Sequence, residues 1–164
     1  MGIAIIYASR SGNTKETAEL IQDECEKYIG NRVPLVPVTD LRAVEEVCQH
    51  STLLFFGTYT WGKGKLPDIA RKALRFMIKE NDFALPPVAV FGTGETIFTY
   101  YCRAVDEAAY HLAHKTEVLG TMKIELAPRG PKAINVVRQF TRAIIDDWME
   151  GYKSGIKENQ NTGT

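Results

Sequence analysis

No C-x-x-C pair occurs in this sequence, and its three cysteines, Cys25, Cys48 and Cys102, stand far apart. An odd number of widely spaced thiols argues against a disulfide framework or a zinc site and for a reducing compartment. No apolar run approaches the ~20 residues a membrane-spanning helix needs, and no basic segment with a long apolar core opens the chain. A cytoplasmic protein without a membrane partner is therefore expected. Charge of one sign is missing too. Twenty basic and 20 acidic residues give a formal net charge of +0, so nothing global points to nucleic acid or anionic lipid. Neither G-x-x-x-x-G-K-[ST] nor G-x-G-x-x-G occurs, which leaves a P-loop NTPase or a dinucleotide-binding site with little support. Histidine is limited to His50, His111 and His114, read as surface or packing residues. There are no paired carboxylates or Ser/His/Asp sets to suggest hydrolysis, no catalytic residue is assigned, and no metal site is expected.

What is present is regular. The 164 residues are 45% hydrophobic and 24% charged, ordinary values for one soluble domain with a sizeable core. Apolar runs at 3–7, 33–38, 51–57, 88–92 and 122–126 predict strands. Between and after them, helical spacing predicts helices over 14–29, 41–50, 67–79, a stretch carrying Cys102, Val105, Ala109 and Leu112, and 132–150. Five alternations argue for an α/β fold, a five-stranded parallel sheet covered by helices on both faces. Pro34 and Pro37 demote the second strand to an edge, which favours the order 2-1-3-4-5. Residues 1–150 form one domain in this reading, and 151–164 a polar tail expected to be disordered.

In such a sheet a ligand sits at the carboxyl ends of the strands, where the winding reverses between strands 1 and 3. The loops after strands 1, 3 and 4 all open there. The first, Ser9, Arg10, Ser11, Gly12, Asn13 and Thr14, turns from strand to helix through small hydroxyl residues and a glycine. Free backbone N–H groups at a helix start suit a phosphate, although a merely capped helix start gives the same pattern. The second loop brings Tyr59 and Trp61, the third Phe98, Tyr100 and Tyr101. Exposed aromatics at a ligand edge are costly unless something flat covers them. One monophosphate site, two aromatic jaws and a polar edge describe flavin mononucleotide (FMN).

The stretches 9–14, 57–62 with Leu66 and Pro67, and 91–95 leading to 101–106 resemble the three FMN loops of flavodoxins, in order and spacing, across residues 1 to about 150. The last strand runs unbroken into Ala127 and Pro128, which resembles the short-chain group. The resemblance implies a flavodoxin-like three-layer sandwich and a monomeric carrier holding one non-covalent FMN. Electrons would pass from a ferredoxin- or flavodoxin-NADP reductase-type donor to redox-enzyme acceptors. Carried over by position, Ser9 through Thr14 would hold the phosphate, Trp61 would stack on the inner face of the ring and Phe98 on the outer. Thr58, Tyr59, Thr60 and Gly62 would line the ring and its N5, a carbonyl near Gly62 being the group that flips to meet the N5 hydrogen. Backbone groups of Gly94, Glu95 and Cys102 would face the pyrimidine edge, with Tyr100 near the ribityl chain and Thr93 also in contact with the cofactor. Cys102 would be positional, not nucleophilic.

Two departures stand out. Phe98 stands where a tyrosine is common, so stacking is kept and the phenol lost. The family is usually acidic around the flavin, whereas Lys63, Lys65, Arg71, Lys72 and Arg75 face Asp68 alone between residues 58 and 75. A solvated basic helix face would look the same. Read functionally, the basic stretch implies a less negative potential for the second electron and a partner with an acidic docking face. The rivals are an FMN-dependent NAD(P)H or quinone reductase, an activator of ribonucleotide reductase, and a flavin-free receiver-type domain.

Overall fold

The structure is a computed structural model that describes residues 2–161. Its elements are β1 (Ile3–Tyr7), α1 (Asn13–Ile29), β2 (Leu35–Pro37), α2 (Leu41–His50), β3 (Leu53–Tyr59), α3 (Asp68–Arg75), β4 (Val88–Gly94), α4 (Arg103–Leu112), β5 (Val118–Glu125) and α5 (Gly130–Asn161). A π-helical turn, Phe76–Glu80, continues α3. All strand pairs are parallel, in the order β2-β1-β3-β4-β5. The proline-bearing strand is at the edge, as its composition requires. Pro34 O accepts from Ile5 N and Val38 N donates to Tyr7 O, both at 2.9 Å, so alternation turns the Pro37 nitrogen outward, where no ladder partner is lost.

The sheet is buried on both sides because β1, β3 and β4 carry continuous apolar runs. On one face Ile5, Phe55 and Phe91 meet α1 and α5 through Ile21, Val137 and Ile145. On the other Ile6, Phe56 and Val90 meet α2, α3 and α4 through Val44, Ala73 and Val105. Each large side chain removed from water in these layers contributes about 1.5–3 kcal/mol.

Four boundaries differ most from the periodicity: the ends of β3 and β4, the start of β5 and the end of α5. β3 and β4 run two residues further than expected because Thr58 pairs with Gly92 and Tyr59 with Thr93. A Cβ on Gly92 would lie 2.3 Å from Val105 Cγ2 and 2.6 Å from Thr58 O, so the bare glycine lets α4 and β3 close on β4. β5 begins at Val118, four residues before the expected start, with a register irregularity opposite Val88 and Ala89. The tail expected to be disordered from Gly151 instead continues α5 to Asn161. Gly151 and Gly155 cost the helix about 1 kcal/mol each relative to alanine. No proline interrupts it, and the Tyr152 ring rests 6.2 Å from that of Trp148. The remainder of that tail, 162–164, lies outside the described residues.

An ion network joins α1 to α5. Glu24 is buried yet charged in type, and its carboxylate accepts from Arg142 Nε at 2.6 Å. Arg138 Nε stands 3.6 Å and Lys27 Nζ 3.8 Å away. Removing a partner from a buried charge is costly, whereas an exposed partner at long range contributes little. Arg142→Ala is therefore expected to lower unfolding free energy in urea by about 2 kcal/mol, and Lys27→Ala by less than ~0.5 kcal/mol. Equal effects would contradict the assignment of Arg142 as the principal counter-ion.

Candidate functional site

At the carboxyl ends of β1, β3 and β4 a cleft of about 520 Å³ opens between the three loops. Its first wall is the turn into α1. Gly12 adopts a left-handed conformation, φ 94°, as the residue before the helix, and a Cβ there would meet nothing within 4 Å. Conformation, not crowding, makes glycine the suitable residue. The N-cap glycine itself offers no side-chain acceptor to this helix start. Among the described residues the amides of Arg10 through Thr14 take no acceptor, whereas Lys15 N donates to Ser9 Oγ at 3.3 Å and Glu16 N to Gly12 O at 2.9 Å. Unpaired donors at the positive end of a 17-residue helix suit an anion.

The second wall is a small hairpin. Trp61 and Lys65 exchange backbone bonds of 2.8 and 2.7 Å around Gly62 and Gly64, both at positive φ. It holds the Trp61 ring half out in solvent, 49% exposed, with the Arg10 guanidinium 4.2 Å from its centroid. The third wall carries Phe98, 58% exposed, and Tyr100. The two aromatic loops touch: a Cβ on Gly64 would fall 2.4 Å from Tyr100 Cβ. At the back, Cys102 Sγ lies 3.9 Å from the carbonyls of Gly92 and Ile124. Burial is the largest cause raising its thiol to about 11, ahead of opposing contributions from Tyr101 and Lys123, so it stays protonated and unreactive.

The structure brings most of the sequence-derived candidates together. Arg10, Ser11, Asn13, Tyr59, Thr60 and Trp61 line the cleft, as do Gly62, Thr93, Gly94, Glu95, Phe98, Tyr100 and Cys102. Ser9 and Gly12 line an adjoining hollow that Arg10 shares. Two candidates stand behind the lining. Thr14 was expected to offer a hydroxyl to the phosphate, but it is buried and its Oγ1 is bonded to Thr93 Oγ1 at 2.8 Å. Thr58 was expected beside the ring, but it lies inside the β3–β4 pair, its hydroxyl donating to Tyr59 O at 2.9 Å. Both brace the cleft from behind.

Three further residues line the cleft: Lys63 and Tyr101, singled out from sequence as a loop charge and a loop aromatic but given no binding role, and Leu126, which was not singled out. Lys63 stands between the two turn glycines, a position that signals a loop tip over the cleft. Leu126 follows β5 directly, where the ligand edge of the sheet continues. Leu126, φ 56°, and Cys102, φ 49°, are the non-glycine residues at positive φ among those described, and both line the cleft. Left-handed strain of this kind gathers at functional sites.

The cleft fits FMN. Thr60 Oγ1 is buried at its wall with no hydrogen-bond partner among the described residues, so a polar ligand atom is called for there. The unpaired amides suit a phosphate, and the exposed Trp61 and Phe98 rings suit a planar heterocycle. When bound, FMN supplies two one-electron steps, while the protein sets its surroundings.

Comparison with known proteins identifies the family. The flavodoxin family model matches residues 5–131. The chain is 35% identical over 147 residues to a probable flavodoxin 2 of Bacillus subtilis, covering 85% of this chain and 94% of the relative. It is 32% identical over 144 residues to a probable flavodoxin 1 of the same organism, at 86% and 88% coverage. The crystal structure of oxidised flavodoxin 2 from Bacillus cereus superposes with a TM-score of 0.78 at 30% identity, covering 90% of this chain and 99% of that one. β5 is unbroken from Val118 to Glu125, as in the short-chain pattern. The chain belongs to the flavodoxin family, as a short-chain member that carries electrons on FMN.

Proposed function

We propose that the turn at 9–14 holds the FMN phosphate through its free amides, with the hydroxyl of Ser11 and the amide of Asn13, and that Trp61 and Phe98 enclose the ring. The free hydroxyl of Thr60 carries this reading, because a buried polar group without a partner is tolerated where a ligand completes it. Thr60→Val removes that hydroxyl at nearly constant shape. The folded protein without flavin should be no less stable, and FMN affinity by fluorescence titration should fall about tenfold. Unchanged affinity would remove Thr60 from the site.

Among its redox partners we place a reductase-type donor and acceptor enzymes whose docking faces are acidic, met by a monomeric cytoplasmic carrier. Trp61, Phe98, Tyr100 and Leu126 form an exposed apolar rim on the cleft, and Ile97, next to Phe98 in the chain, is exposed as well. Arg10 and Lys63 line it, against Glu95. Arg71 contributes less than its sequence position suggests, since Glu107 holds it at 3.1 Å. Electron transfer to an acidic partner should slow as ionic strength rises, because rim charges act mainly on association. Stopped-flow rates that rise with salt would contradict a basic docking face.

A further inference from the structure

On the face of the sheet away from α1 and α5, a groove of about 420 Å³ runs between α3, with its π-helical continuation, and α4. Arg71, Leu74, Arg75, Ile78 and Lys79 recur at helical spacing and so share one face of the α3 segment. That face meets Tyr110, His111 and His114 of α4. Long basic side chains stand where apolar residues would close two helices together, and the groove results. Its floor is apolar, formed by Leu66, Leu74 and Ile78, with Tyr110 exposed beside it. The Tyr110 ring is set edge-on to His114 at 4.9 Å and to His111 at 5.6 Å, which fixes its orientation.

Arg71, Arg75 and Lys79 give the lining three positive charges, His111 and His114 add two imidazoles, and none of the lining residues is acidic. Glu107, just outside, neutralises part of this charge, binding Arg71 at 3.1 Å with His111 Nε2 3.9 Å away. Arg75 and Lys79 form no salt bridge among the described residues. No residue lining this groove lines the flavin cleft, so the two are separate sites. One link joins them. Glu107 Oε2 accepts from Leu66 N at 3.2 Å, and Leu66 follows the Lys65 end of the hairpin that holds Trp61.

We propose that this groove is a docking site for an acidic segment of a protein partner, whose carboxylates pair with Arg75 and Lys79. An apolar side chain of that segment lies on Leu74, Ile78 and Tyr110. Charge complementarity argues for the acid, and the apolar floor argues for a peptide segment over a small free anion, which would leave that floor in water. The site gives a partner a second hold, beside its contact at the flavin edge, and it stands independently of how FMN is bound.

The test uses FMN-loaded protein and a synthetic peptide in which glutamates alternate with leucine and phenylalanine. A second peptide carries lysine in place of every glutamate. Amide chemical-shift mapping should place the acidic peptide at 71–79 and 107–114, with Leu66 moving as well, and the lysine peptide should give no shifts. The double variant R75E/K79E should keep the flavin spectrum and weaken the acidic peptide by roughly tenfold or more. The proposal is overturned by shifts confined to the flavin edge, by equal binding of both peptides, by unchanged affinity in the variant, or by inorganic phosphate alone producing the same shifts.

Discussion

Trp61→Ala should weaken FMN binding by between about fivefold and 150-fold, the range that ~1–3 kcal/mol of ring stacking provides. The ring is half exposed at the paired end of the hairpin, beside Arg10, and among the described residues it belongs to neither core cluster. The fold should survive, since a surface side chain is removed and the hairpin is held by the Trp61–Lys65 backbone bonds. Trp61→Phe keeps a flat ring and should recover most of the affinity. Titration of flavin fluorescence measures both variants. If the alanine variant bound FMN as tightly as the parent, the aromatic wall would not be a stacking surface.

The potential for the second electron should be less negative than in a relative with acids around its flavin. The sign follows from charge. Adding the second electron leaves the flavin anionic, and a nearby cation stabilises that anion. A unit charge at ~10 Å with an effective dielectric of ~20 is worth roughly 70 mV for one electron, reduced further by solvent and salt. Among the basic residues between 58 and 75, Lys63 is the one that lines the cleft, while Arg71 is paired with Glu107. Lys63→Glu changes the charge by two units and should move this couple to more negative values by several tens of millivolts, measurable by spectroelectrochemistry. Lys72→Glu, away from the cleft lining, should move it less. Equal shifts for both would make the effect one of net charge and not of Lys63.

These two expectations rest on parts of the chain that were legible to different degrees. Strand order was readable because Pro34 and Pro37 tolerate an edge, and buried parallel strands leave unbroken apolar runs. The cleft was readable because its residue types are unusual for loops: glycines, aromatics and a hydroxyl-rich helix start. The inward turn of Thr14 and Thr58 was not. A threonine after a strand offers its hydroxyl to solvent or to the chain with equal ease, and the choice depends on Thr93 across the sheet. Leu126 was likewise hidden, because its role comes from a left-handed backbone beyond β5, and composition does not record φ. The length of α5 was missed for a further reason. A polar composition suggests disorder, yet a helix already anchored by Trp148, against which Tyr152 rests, propagates cheaply through a polar stretch.

The groove between α3 and α4 was invisible for the opposite reason. Its basic residues had been assigned as one group with the flavin loop, and three-dimensional placement divides them. Lys63 faces the cleft, while Arg71 and Arg75 face α4.

Stepwise reduction of the purified protein, followed by its visible spectrum, tests most directly that these loops hold FMN for electron transfer. The protein should take up one FMN, be yellow when oxidised, and accept two electrons in two resolved one-electron steps with no turnover of NAD(P)H or quinone on its own. A colourless protein that refuses added FMN, or a loaded one that turns over NAD(P)H unaided, would contradict the account.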